Sequence, residues 1–426
     1  MKRKPSLAVI GAGARGLISY APYFAQFPDE AEIAAVAEPN EQRRHAFAER
    51  FGLPGERVFT TWEELLDGPR ICDALLICTQ DRMHFEPTMA ALRKGYHVLL
   101  EKPMSSDPME CIAMTEAASR SGRLLTICHV SRYIPFWQRI KTLISEGVIG
   151  EVVSVQHNEN VGYLHYAHSF VRGNWRNAEQ SSPMILAKSC HDMDLIRWLV
   201  DADCVRVSSF GSLSHFRASN APEGATDRCT DGCAAEAACP YSAMRFYAQD
   251  PEANPFAALI ADPPTLENRM NAILTGPYGK CVYRTDNDVV DHQVVNLEFA
   301  GGATAMFSMC GFTRDINRIV QIMGTKGEIR GDLLKEEVDL FEFAGGKRTV
   351  YRTPSGDSGH HGGDAGVLRQ FLSDLREERF AGSLTSAEAS LESHLMAFAA
   401  EDSRLRQGEV VDMRSFRSSL AAADRA

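Results

Sequence analysis

Through the first 130 residues, short runs of apolar residues alternate with longer stretches whose apolar positions recur at helical spacing. The runs at 7–10, 33–37, 74–78, 97–100 and 124–129 are predicted strands. Between them, 15–27, 41–51, 62–66, 84–94 and 108–121 are predicted helices, with Gly52 and Gly95 at helix ends. Strands that are apolar throughout, rather than at every second position, are buried on both faces. Their alternation with helices predicts a parallel, doubly wound α/β sheet.

Beyond residue 130 the texture changes. A helix is predicted over 137–146 and a half-exposed strand over 150–157. Residues 184–199 are expected to be mostly helical, and strands follow over 205–213, 281–285, 293–299, 304–310 and 319–323. Lys326-Gly327 reads as a turn into a strand at 328–330, and late helices are predicted over 364–378 and 384–407. This density of strands predicts a second, α+β domain with a large, mainly antiparallel sheet. The expected division is a first domain over 1–130 and a second over 131–426. A Pro-, Ala- and Cys-rich stretch at about 214–268 reads as an insertion in the second.

At 426 residues the chain has room for two cores. Its formal net charge of -11, from 45 Lys+Arg against 56 Asp+Glu, argues against a nucleic-acid partner. No run approaches the roughly 18 apolar residues of a membrane span. The basic start at Met1-Lys-Arg-Lys leads into a strand rather than a signal-peptide core. A cytoplasmic location is expected, and with it 11 cysteines as thiols or metal ligands.

The first strand runs into Gly11-Ala12-Gly13-Ala14-Arg15-Gly16, the strand–turn–helix setting of a dinucleotide fingerprint. Gly11 permits the tight turn, Gly13 lets the backbone approach a pyrophosphate, and Gly16 allows close helix packing. Glu38, at the end of the second strand, is placed to accept hydrogen bonds from ribose hydroxyls and to repel a 2′-phosphate. NAD is therefore expected over NADP, which nearby Arg43 and Arg44 keep open.

That turn, the strand end Ile77-Cys-Thr79-Gln80 followed by His84, and Gly95-Tyr-His-Val-Leu-Leu-Glu101-Lys102-Pro103 together resemble the Gfo/Idh/MocA oxidoreductases. So do Arg132-Tyr-Ile-Pro135 and His191-Asp192-Met-Asp194. The resemblance covers most of the chain. It implies a Rossmann domain, a sheet-rich substrate domain, and NAD(P)-dependent chemistry on sugars, cyclitols and related polyols. It also implies cofactor contacts at Ala12, Arg15, Thr79, Gln80, His84, Glu101 and Arg132, and assembly as a homodimer or homotetramer. Lys102 is implied as part of the catalytic set. A lysine beside the nicotinamide can donate to the substrate oxygen as hydride leaves, with Glu101 anchoring it.

His191 is the candidate acid/base, because imidazole titrates near neutrality. The family's aspartate, four residues before it, is Ala187 here, and Lys188 stands beside that position. Lys188 is expected to bind substrate or to tune His191. His129, Trp175, Arg176, Asp192 and His361 are further candidates for the substrate pocket, together with His165, His168 and the 360–364 segment. Cys229, Cys233 and Cys239 fall in the insertion and suggest a structural zinc, with Cys204 or His215 as a fourth ligand. Two other functions stay open from the residues. One is an NAD-recycling glycosidase or lyase acting by transient oxidation and elimination. The other is a non-catalytic cofactor-binding regulator.

Overall fold

The computed structural model describes residues 4–249, 254–354, 356, 359–380 and 382–423. The first sheet contains β1 (Ser6–Ile10), β2 (Glu32–Ala37), β3 (Val58–Phe59), β4 (Ala74–Ile77), β5 (His97–Leu100) and β6 (Leu125–Ile127). All are parallel, in the order β3-β2-β1-β4-β5-β6. Every residue of β4 and β5 is buried, as their unbroken apolar runs require. The strand order reverses between β1 and β4, which opens a crevice at the carboxyl ends of these strands. Two-residue β3 is too short to leave a pattern in the sequence. The expected helix after β1 begins as π-helix (Ala14–Tyr20) and continues as α-helix (Ala21–Gln26).

The second sheet has nine strands. These are β7 (Val152–Asn160), β8 (Cys204–Ser212), β9 (His292–Phe299), β10 (Thr304–Cys310), β11 (Asn317–Gly324), β12 (Gly327–Asp332), β13 (Glu337–Glu342), β14 (Lys347–Arg352) and β15 (Val411–Asp412). Their order is β14-β13-β12-β11-β7-β10-β9-β8-β15, and only β7 and β10 pair in parallel. Helices Pro135–Ser145, Cys190–Val200 and Ala387–Leu405 cover one face. The alternation of buried and exposed residues in β9 and β10 reflects that one-sided cover.

Several expectations are corrected. Residues 281–285 form turns, not a strand; their apolar character comes from Cys281, Val282 and Tyr283 packing into the core. The mostly helical stretch 184–199 is indeed so, as two helices, Met184–Ala187 and Cys190–Val200, separated at Lys188-Ser189. β13, β14 and a final helix, Met413–Ala423, went unforeseen. The insertion carries a small core of its own around Ala243, Phe246, Tyr247, Ile260 and Ile273. No helix among the described residues is long and apolar enough to cross a membrane.

The late helix Gly363–Glu377 returns to the first sheet. Val367, Leu368, Phe371 and Leu372 are buried there against the cluster that includes Leu7, Val9, Tyr20 and Phe24. This return carries Asp364 to the glycine turn.

Candidate active site

The three fingerprint glycines meet different constraints. Gly11 has φ +90°, and a Cβ on it would lie 2.7 Å from the Cys78 carbonyl oxygen. A Cβ on Gly16 would lie 2.2 Å from the Gly11 oxygen, so helix and turn touch backbone to backbone. A Cβ on Gly13 would meet nothing closer than the Arg43 side chain at 3.9 Å, leaving room beside the turn for a pyrophosphate. Glu38 is buried, and its carboxylate accepts from the Ala12 N–H at 2.7 Å and the Asn40 N–H at 2.9 Å. Arg44 is spent on the Glu38 and Pro39 carbonyls, whereas Arg43 is exposed.

The end of β5 carries Glu101, only 4% exposed. It accepts from the Arg15 Nε and the Tyr20 hydroxyl, each at 2.6 Å, and from the Lys102 N–H at 3.0 Å. Burial works against its charge, but Arg15 and then Lys102 outweigh burial and hold the carboxyl below its ordinary range. Arg15 also pairs with Asp364 at 2.7 Å. Next in the chain, Lys102 donates from Nζ to the Ala187 carbonyl at 2.8 Å, at the end of the short helix. Its ammonium lies 5.8 Å from the Trp175 ring centroid.

Four residues past Ala187, His191 opens the next helix. It is buried, and its Nδ1 has no hydrogen-bond partner. Burial, then the charge of Lys102, pushes its pKa well below the usual histidine value, so the ring is neutral at physiological pH. His129 lies 5.7 Å away, ring to ring; neither of its nitrogens is hydrogen bonded, Nε2 stands 3.8 Å from the Asp194 carboxylate, and burial lowers its pKa to about 3. Together Lys102, His191 and His129 place one ammonium and two neutral imidazoles in one buried pocket. The set can donate to a developing alkoxide and accept a hydroxyl proton.

Residues 6–129 match the oxidoreductase family model described as an NAD-binding Rossmann fold, and 141–411 match the family's C-terminal alpha/beta domain. The chain belongs to the Gfo/Idh/MocA oxidoreductases. It is 29% identical to inositol 2-dehydrogenase of Streptomyces avermitilis over 53% of this chain and 61% of that protein. It is 30% identical to 1,5-anhydro-D-fructose reductase of Ensifer adhaerens over 40% of this chain and 50% of that protein. In fold it is similar to levoglucosan dehydrogenase, solved with NADH and levoglucosan. That match has TM-score 0.72 and 18% identity, over 96% of this chain and 100% of the other.

In this Gfo/Idh/MocA chain the expected site residues have the following partners within the protein. Arg15 faces Glu101 and Asp364 rather than the turn, because two buried carboxylates claim it. Arg132 is locked in a bidentate pair with Asp194, 2.7 Å on each arm, and donates to the Leu384 carbonyl. His84 bridges the Thr79 and Pro103 carbonyls at 3.1 and 2.7 Å, tying the β4 end to the Lys102 turn. Thr79 donates to the Met83 carbonyl, and Gln80 is exposed. Arg176 pairs with Asp286, away from Lys102, and half-exposed His361 approaches Glu336 at 3.9 Å. His168 hydrogen bonds Tyr247 in the insertion. Trp175 does reach the pocket, fixed by its Nε1 donating to buried Asp81 at 3.2 Å. As the side chains stand, no three histidine, cysteine or acidic residues among those described are placed to hold a single metal ion. The expected zinc on Cys229, Cys233 and Cys239 therefore has no support.

Asp192 is not at the pocket surface. It lies between helix and sheet, accepting from His157 at 2.7 Å and from Arg318 at 2.7 and 3.2 Å. Arg318 also faces Glu159 at 2.8 Å, and Glu159 faces Lys188 at 3.2 Å. Burial lowers the Lys188 pKa, with Glu159 opposing, and burial raises that of Glu159 against Arg318 and Lys188. None of these partners is close in sequence, so Glu159 and Arg318 carried no local signal. Substitution Arg318→Met would leave two buried carboxylates short of a cation. It is expected to destabilise the protein by about 3–5 kcal/mol, read from the urea midpoint. A change below about 1 kcal/mol would show that the network carries little stability.

Proposed function

We propose that the protein is an NAD-dependent dehydrogenase of a sugar, cyclitol or related polyol. The observation that supports this most is the meeting of Lys102 with neutral His191 at the carboxyl end of β5. The relatives' names, an inositol dehydrogenase and an anhydrofructose reductase among them, support the substrate class.

Bound NAD supplies the hydride acceptor at nicotinamide C4. The Glu38 carboxylate, now turned to backbone N–H groups, is placed to take ribose hydroxyls and opposes a 2′-phosphate, which favours NAD over NADP. Lys102 donates to the reacting oxygen of the substrate and stabilises negative charge there. His191, unprotonated, receives the hydroxyl proton. The Trp175 ring walls the pocket beside Lys102. On this reading the chain also forms a homodimer or homotetramer. Its contact would be the uncovered sheet face, where Phe210, Val294, Met306 and Ile319 are exposed.

A panel of sugars, cyclitols and glycosides with NAD tests the reading, with NADH formation measured beside glycoside cleavage. Cleavage without net NADH would overturn it. Substitution Lys102→Ala is expected to lower kcat by about 10²–10⁴-fold while NADH still binds. Unchanged kcat would remove Lys102 from the chemistry. Because His191 must be neutral to accept a proton and its pKa is depressed, the acid limb of kcat/KM is expected below about pH 6.5. A limb at or above that pH would assign the base elsewhere.

A further inference from the structure

The turn that follows β4, Asp81–Met83, reaches both sides of Lys102. On one side His84, the next residue, lies 2.7 Å from the carbonyl of Pro103, which follows Lys102 in the chain. On the other, Asp81 crosses to the second domain. Its Oδ1 accepts from the Trp175 Nε1–H at 3.2 Å. Its Oδ2 accepts from the Ser182 hydroxyl at 2.5 Å and the Ser181 hydroxyl at 3.2 Å. The neighbouring Arg82 donates to the Ala178 carbonyl at 3.4 Å.

Two groups of the second domain meet the Lys102 ammonium. One is the Trp175 ring, with its centroid 5.8 Å away, and the other is the Ala187 carbonyl at 2.8 Å. The serine pair lies between them in sequence, and the short helix Met184–Ala187 begins two residues after Ser182. Asp81 therefore holds one of the two groups directly and grips the segment that leads to the other. Its carboxylate is 5% exposed, and its three side-chain donors are all neutral. A charge buried on neutral donors is costly. What the charge adds lies along the indole. An anion at the ring N–H makes the π face more negative, and that face meets the ammonium.

We propose that Asp81 is a positioning residue for Lys102, acting through Trp175 and the Ser181-Ser182 pair. It fixes the indole against the ammonium and the Ala187 carbonyl at its N–H. Lys102 then spends one N–H on Ala187 and keeps its other two for the substrate oxygen. The role in turnover rests on the dehydrogenase reading above.

The test reads Lys102 without turnover and with it, in the full chain. Acetylation of Lys102 by acetic anhydride, normalised to exposed Lys335, is expected to rise about threefold or more in Asp81→Ala and in Trp175→Phe. The indole N–H resonance of Trp175, assigned by its loss in Trp175→Phe, is expected to move upfield in Asp81→Ala as its charged acceptor goes. With a sugar or polyol that the panel shows to be oxidised, Asp81→Ala is expected to lower kcat about 10–100-fold while NADH still binds. Asp81→Asn keeps an acceptor but not the charge, and should fall between wild type and Asp81→Ala. The double variant should lose no more than the poorer single one, because both act through one bond. NADH titration reports folding; should Asp81→Ala not fold, Asp81→Asn and Trp175→Phe carry the same test. Unchanged Lys102 labelling, or losses that multiply in the double variant, overturns the proposal. A chain that oxidises none of the panel, yet shows the rise in Lys102 labelling, overturns the dehydrogenase reading and supports this one.

Discussion

The active site is organised around a negative charge that water cannot reach. Glu101 sits at the end of a fully buried strand, and an unpaired carboxylate there would cost several kcal/mol. Arg15, from the glycine turn after β1, supplies the cation, and Tyr20 supplies a second donor. Arg15 is in turn held by Asp364 on the helix that returns from the far end of the chain. One ion network thus joins the cofactor turn, the β5 end and the C-terminal helix. Lys102, the next residue after Glu101, inherits its position from that network.

The second domain meets Lys102 through a broken helix. The interruption at Lys188-Ser189 presents the Ala187 carbonyl to the Lys102 ammonium and starts a new helix at Cys190, with His191 in its first turn. Four residues before His191 stands Ala187, and the adjacent Lys188 is drawn down to Glu159. Around the Lys102 ammonium, held by the Ala187 carbonyl, the nearby titratable groups are therefore neutral imidazoles. A second network of Arg318, Asp192, Glu159 and His157 holds the new helix against β7 and β11.

Much of this was legible in the sequence, for physical reasons. Strands buried on both faces must be apolar throughout, so β1, β2, β4, β5 and β6 stand out as runs. Gly11 and Gly16 face backbone where any side chain would collide, and Glu38 sits at a fixed distance beyond them. What stayed hidden depends on contacts between distant segments. The pairing of Arg15 with Asp364 was hidden because the two are 349 residues apart and left no local trace. Arg132 and Asp194 are 62 residues apart, and each side chain looked free until the fold closed them on each other. The break at Lys188 was also invisible, because the apolar spacing on its two sides suits one continuous helix.

If the ion network fixes Lys102 where the nicotinamide reacts, a crystal structure of the protein with bound NAD will show it. The nicotinamide ring is expected beside Lys102 and His191, with Arg15 still paired to Glu101 and Asp364. A ring lying away from Lys102, or Arg15 turned onto the pyrophosphate, would contradict it.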